Sequence, residues 1–185
     1  MAEPLRVLVV CTANICRSPA AEALLRTGAI EQGLDVEVSS SGFLFDGEPA
    51  SPMMVTVMGE RGIDLADHRS RVTTASMVDE ADLVVTMERR HGRDLAAACG
   101  PRGIFTLKGA VAALGAVDPV IADPHERLAA ADDAREHGDL LGDGPDEIAD
   151  PYGRSARVNR KTADELRDLT SELLKSLYPT VEKPS

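Results

Sequence analysis

Cys11 and Arg17, with five residues between them, form a spacing suited to covalent phosphoryl chemistry. A thiolate is a strong nucleophile, and the planar fork of a guanidinium can clamp two oxygens of a phosphoryl group and follow them into the transition state. The residues between them, Thr12, Ala13, Asn14, Ile15 and Cys16, make a loop long enough to curl until its N–H groups converge on one centre, a nest that binds anions. The donors that hold a phosphate also favour a thiolate, and Ser18 can donate its hydroxyl to the sulfur as it leaves. Such a reaction needs a proton for the departing group and then a base for the attacking water, and one carboxyl group can serve both. Asp150 fits, because Pro151 stiffens the backbone beside it and Gly153, after Tyr152, permits a turn that aims the side chain. Asp118-Pro119 and Asp123-Pro124 lack the aromatic residue and the glycine, and read as turns.

The elements around the loop must hold these groups in place. Val7, Leu8, Val9 and Val10 form a short β-branched run suited to a strand buried on both faces, with Cys11 at its carboxyl end. Pro19 and the alanines after it start a helix expected to reach Gln32 and stop at Gly33, with Ala20, Ala23, Leu24, Thr27 and Ile30 on one face. The loop therefore faces unpaired N–H groups and the positive end of a helix, where an anion fits. Taken alone, Cys11 could equally be a small buried side chain and Arg17 a solvated helix residue.

Further strands are expected over 35–40, 81–87 and at Ile104–Phe105, with helices from Ser51 to Arg61, from Glu88, after Phe105, and from about Ser155 to Tyr178. The β-α-β-α order implies an α/β fold in one domain: a doubly wound, four-stranded parallel sheet with helices on both faces and the ligand at the strands' carboxyl ends. Two of the three phenylalanines, Phe43 and Phe45, lie on a glycine-flanked loop; with Tyr152 they are candidates for an apolar wall beside the site. Residues 115–149 are acidic, proline-bearing and long for a connection, with a short helix expected over 123–137.

At 185 residues and a formal charge of −11, the chain can bury a full core and is a poor partner for nucleic acid or an anionic membrane. Neither a signal segment nor an apolar run of membrane-spanning length is read in it, so the cytoplasm is the expected compartment. Three cysteines suit neither a disulfide framework nor a zinc site, and no metal or cofactor is expected. Cys99 reads as an ordinary helix-end residue.

CTANICRSP resembles the nucleophile loop of the low-molecular-weight protein tyrosine phosphatases, and DPYG before a long terminal helix resembles their general-acid loop. The resemblance implies hydrolysis of phosphotyrosine through a cysteinyl-phosphate at Cys11, with Arg17 as clamp and Asp150 as acid and base. It also implies phosphotyrosine-bearing protein substrates, a tyrosine kinase among the candidates. His68, in GIDLADHRSR, matches a histidine that joins Ser40 and Asn14 in a hydrogen-bond chain holding the loop open. Cys16 matches a possible redox partner of Cys11, and residues 115–149 look like an insertion, either a solvated loop or a lid. Two departures stand out: Ala13 replaces a common glycine, implying strain if its φ is positive, and only one aromatic precedes Gly153.

Three other readings compete. Phosphoarginine is the nearest rival substrate, because FTLK and the terminal half also resemble that branch; threonine is usual there at the position of Ile15, and an apolar residue suits an aryl ester better. Arsenate reduction coupled to thioredoxin requires a close pair of further cysteines, and only Cys99 is available. A phosphate-binding module without catalysis would not need Asp150.

Overall fold

Burial on both faces is what makes Leu5–Cys11 a central strand. In this computed structural model, which describes residues 3–135 and 144–180, β1 (Leu5–Cys11) sends Val7, Val9 and Cys11 into the larger core. Leu8 and Val10 go to a smaller core on the opposite face. Burial on both faces explains a run with no polar alternation. Around β1 run β2 (Val36–Gly42), β3 (Leu83–Thr86) and β4 (Ile104–Thr106), all parallel, in the order β2-β1-β3-β4. The direction of winding reverses at β1, so the crevice at its carboxyl end is where such a sheet takes its ligand. Cys11 closes that strand.

The expected α/β architecture is present. On the larger-core side lie α1 (Arg17–Gln32), α2 (Pro52–Gly59), α5 (Leu107–Gly115), α6 (Pro124–Asp133) and α7 (Ala156–Leu177). The other face is covered by α3 (Ala75–Asp79) and α4 (Arg89–Cys99). The five-residue α3, capped by the Thr74 hydroxyl, is too short to show a helical period and was not expected.

Two local expectations need correction. α1 begins at Arg17, ahead of Pro19, which sits in the first turn where its missing N–H is not needed. Its buried stripe runs through Ala21, Leu25 and Ala29, while Ile30 is 74% exposed and Thr27 is exposed. Close approach of α7 accounts for this: a Cβ on Gly28 would lie 2.9 Å from Leu174, so small residues, not the apolar ones, mark the packed face.

α7 packs against α1, α2, α5 and α6, and its Leu166, Leu173, Leu174 and Leu177 are all buried. Leu166→Ala is expected to lower the free energy of unfolding by about 2–5 kcal/mol through the cavity it leaves, measurable by urea denaturation.

The acidic stretch is not simply a solvated loop. Asp123, read from the sequence as part of a turn, caps α6 by accepting from the His125 and Glu126 N–H groups, and the buried Arg127 guanidinium donates to the carbonyls of Leu114, Val117, Asp118, Ile121 and Ser176. It ties α6 to the ends of α5 and α7. The end of the helix expected to reach 137 and the middle of the suggested lid, 136–143, lie outside the described residues.

Candidate active site

The loop between β1 and α1 is shaped by Asn14. Its φ of 54° makes it the non-glycine residue with a positive φ among the described residues, so the strain expected at Ala13 falls instead on a residue type that tolerates the left-handed region. Asn14 is fully buried, and every polar group of its side chain is used. Nδ2 donates to Ser18 Oγ and Ser40 Oγ, each at 2.8 Å, and Oδ1 accepts from the Arg71 N–H at 2.9 Å. His68 Nε2 lies 2.7 Å from the Asn14 carbonyl, which can only accept, so that nitrogen carries the proton. The chain expected to join His68, Ser40 and Asn14 is thus assembled, and Ser40 extends it by donating to Glu22.

These contacts turn the loop toward Cys11 Sγ. The Asn14 N–H points at the sulfur from 3.3 Å, and Ser18 Oγ lies 3.0 Å away. Because Ser18 already accepts from Asn14, its own proton lies between two acceptors, the sulfur at 3.0 Å and the Ser41 carbonyl at 3.4 Å, and the sulfur is the nearer. Gly42, at the end of β2, allows the loop to lie so close: a Cβ there would be 2.7 Å from the Asn14 nitrogen. Cys16 is buried beside the loop, and burial pushes its thiol up to about 11 despite a hydrogen bond with Ser51. It remains protonated at neutral pH. Cys11 and Cys16 are both free thiols here.

Arg17 is only 1% exposed and is gripped from three sides. Nη1 donates to Glu88 Oε1 at 2.7 Å and to the Ile148 carbonyl at 2.9 Å, while Nη2 lies 3.2 Å from both Thr12 Oγ1 and Asp150 Oδ2. Burial pushes the Glu88 carboxyl up, but hydrogen bonds from Arg17 and Arg90 outweigh it and hold the group below the usual carboxylate range. A buried cation is therefore matched by a partly buried anion, which avoids the penalty of an unpaired charge. Arg17 Nε is buried with no hydrogen-bond partner among the described residues. An oxyanion in the bowl would supply the missing acceptor.

Asp150 comes from the far end of the chain. Its carboxylate is 48% exposed and accepts from the Tyr152 N–H at 3.2 Å, the short turn that Pro151 and Gly153 permit. Asn159, buried on α7, donates to the carbonyls of Pro151, Arg154 and Ser155, fastening the turn to the helix. Ile148 is held at the end of β3 by its N–H to the Met87 carbonyl, which places the whole segment over the loop.

The aromatic candidates separate. Phe43 is half-buried beside the loop, donating its N–H to the Thr12 carbonyl at 2.8 Å and stacking on His91 with centroids 5.2 Å apart. Phe45 and Tyr152 are 43% and 63% exposed, and Ile15 is 9% exposed. Glu88, His91, Ile148, Gly42 and Asn159 were not singled out from the sequence. Only Glu88 had a signal, its place directly after a strand's carboxyl end.

The model of the low molecular weight phosphotyrosine protein phosphatases matches residues 6–131. The chain is 33% identical over 174 residues to a protein-arginine-phosphatase of Bacillus subtilis, covering 92% of this chain and 95% of the relative. It is 38% identical over 132 residues to a probable low molecular weight protein-tyrosine-phosphatase of Ralstonia nicotianae, covering 70% and 86%. The crystal structure of a low molecular weight protein tyrosine phosphatase from T. tengcongensis superposes with a TM-score of 0.72 at 32% identity, over 92% of this chain and 98% of that one. The matched region begins in β1, takes in the curled loop and runs to α6; the chain belongs to the low molecular weight phosphotyrosine protein phosphatase family, a family of hydrolases.

Proposed function

We propose that this chain removes phosphate from protein phosphotyrosine through a phosphoenzyme on Cys11. The observation that carries the reading is the approach of Asp150 to Arg17, 3.2 Å apart, which puts a proton carrier beside the group that grips phosphate. Cys11 sulfur attacks phosphorus as the phosphorus–oxygen bond to the phenol breaks, and Asp150 gives that oxygen its proton. Asp150, now a carboxylate, takes a proton from water as the water attacks the phosphocysteine; the sulfur leaves as a thiolate that receives the Ser18 hydrogen bond. Arg17 uses Nε and Nη2 on the equatorial oxygens throughout, stabilising charge where it develops. Thr12, Ala13, Asn14, Ile15, Cys16 and Ser18 form the phosphate-binding loop, with Ser40 and His68 behind it.

Ile15 supports phosphotyrosine over phosphoarginine, because a nearly buried apolar side chain in the loop favours a phenyl ring over a cationic guanidinium. The rival is supported by the match to a protein-arginine-phosphatase over 92% of this chain. Phosphotyrosine peptides are expected to be turned over with at least about tenfold higher kcat/KM than phosphoarginine peptides of the same sequence. A preference for phosphoarginine would reassign the substrate.

Residues 1–185 act as one phosphatase domain carrying an acidic insertion at about 115–149, and the protein works in the cytoplasm on phosphoproteins that include a tyrosine kinase. Phe43, Phe45 and Tyr152 form the wall for the phenol ring. Cys16 closes a disulfide on Cys11 when peroxide has converted the nucleophile to a sulfenic acid, releasing water and protecting it from further oxidation.

A further inference from the structure

Thr12 Oγ1 is a three-way junction beside the bowl. Arg17 Nη2 and Arg90 Nη2 each reach it at 3.2 Å, and guanidinium nitrogens can only donate, so they occupy both of its lone pairs. The Thr12 proton must then go to the third neighbour, His91 Nε2, at 3.1 Å. That count of donors and lone pairs assigns His91 the tautomer with its proton on Nδ1, and Nδ1 is buried with no hydrogen-bond partner among the described residues. A buried N–H without a partner is destabilising, and a phenyl ring at this place would avoid it.

The imidazole is 3% exposed and stacks on Phe43 from the loop after β2. Its charged neighbours are Glu88, Arg90 and Asp94 around the start of α4, and Arg17 from α1. Burial pushes His91 down to about 4, so it is a neutral acceptor at neutral pH. A protonated ring would turn Nε2 into a third donor and leave the Thr12 proton with no acceptor at this junction.

We propose that His91 is a positioning residue: by accepting the Thr12 hydroxyl proton it turns both lone pairs of that oxygen toward Arg17 and Arg90, and so aims the guanidinium that grips phosphate. It does not touch substrate. The proposal rests on the phosphatase reading for the role of Arg17, while the junction itself is independent of it.

His91→Phe keeps the stack on Phe43 and removes the acceptor; His91→Gln returns an acceptor close to the position of Nε2. Calorimetric binding of inorganic phosphate and steady-state cleavage of an aryl phosphate are compared for wild type, both variants, Thr12→Val and the Thr12→Val/His91→Phe double variant. His91→Phe is expected to weaken phosphate binding and lower kcat/KM by about tenfold, with His91→Gln recovering most of the loss. Thr12→Val should produce the same loss alone and make His91→Phe silent in the double variant. Wild-type values in His91→Phe, no recovery in a folded His91→Gln, or additive effects in the double variant would overturn the proposal. If His91→Phe fails to fold, Thr12→Val decides, since unchanged phosphate binding there refutes the junction. Phosphate binding is read without turnover, so a wild type that binds phosphate but cleaves no ester refutes the phosphatase reading while the binding comparison still judges His91.

Discussion

Cys11→Ser is expected to lower turnover of aryl phosphates by at least about 10⁴-fold while leaving phosphate binding largely intact. Two donors face the sulfur, the Ser18 hydroxyl at 3.0 Å and the Asn14 N–H at 3.3 Å, as the proposed thiolate nucleophile requires. A serine hydroxyl there is far less acidic than a thiol and has no base in contact with it, so it stays protonated and weakly nucleophilic. The phosphate donors do not depend on the sulfur: Arg17 is held by Glu88, Ile148 and Thr12, and Asn14 is fixed by Ser18, Ser40, Arg71 and His68. Calorimetry with inorganic phosphate and burst kinetics on the same preparation check both halves. Activity within tenfold of wild type would mean that another nucleophile acts, and the buried Cys16, with its thiol pushed up to about 11, is poorly suited to be that group.

The second large effect belongs to the opposite end of the chain. Asp150→Ala is expected to reduce kcat for phenyl phosphate by about 10²- to 10⁴-fold, because an unprotonated phenolate is a poor leaving group. The loss should be smaller for an ester of a more acidic phenol, whose oxygen leaves without help. That dependence separates proton donation from a structural role. Stability should barely change, since the Asp150 carboxylate is 48% exposed and the buried Arg17 keeps Glu88 as its counter-ion. Equal rates for wild type and variant on phenyl phosphate would remove Asp150 from the mechanism.

Which parts of this site could be read from the chain depends on distance along it. Strand, loop and helix from Val7 to Pro19 are consecutive, so periodicity, the Cys11–Arg17 spacing and proline chemistry all bear on one short segment. Asp150 was readable because its turn is made by its own neighbours, Pro151 and Gly153. Glu88, Ile148 and His91 carry no comparable mark. Ile148 matters through a backbone carbonyl, which any residue has, and His91 through a hydroxyl 79 residues away. The buried face of α1 was misread for a related reason: apolar lettering favoured Ile30, whereas the neighbouring α7 selected alanine and glycine.

By itself the sequence determined the local conformations and the chemical inventory: a buried strand ending in a thiol, a loop able to curl, a helix start, and a carboxylate on a proline-stiffened turn. These follow from short-range sterics and hydrogen bonding, which act between near neighbours. Only the tertiary structure decided which residue bears the positive φ, that Gly42 must lack a side chain, that Glu88 balances Arg17, and that Asp150 reaches the loop at all. Those outcomes depend on packing between segments near opposite ends of the chain, where shape and charge are matched in space and leave no period in the sequence.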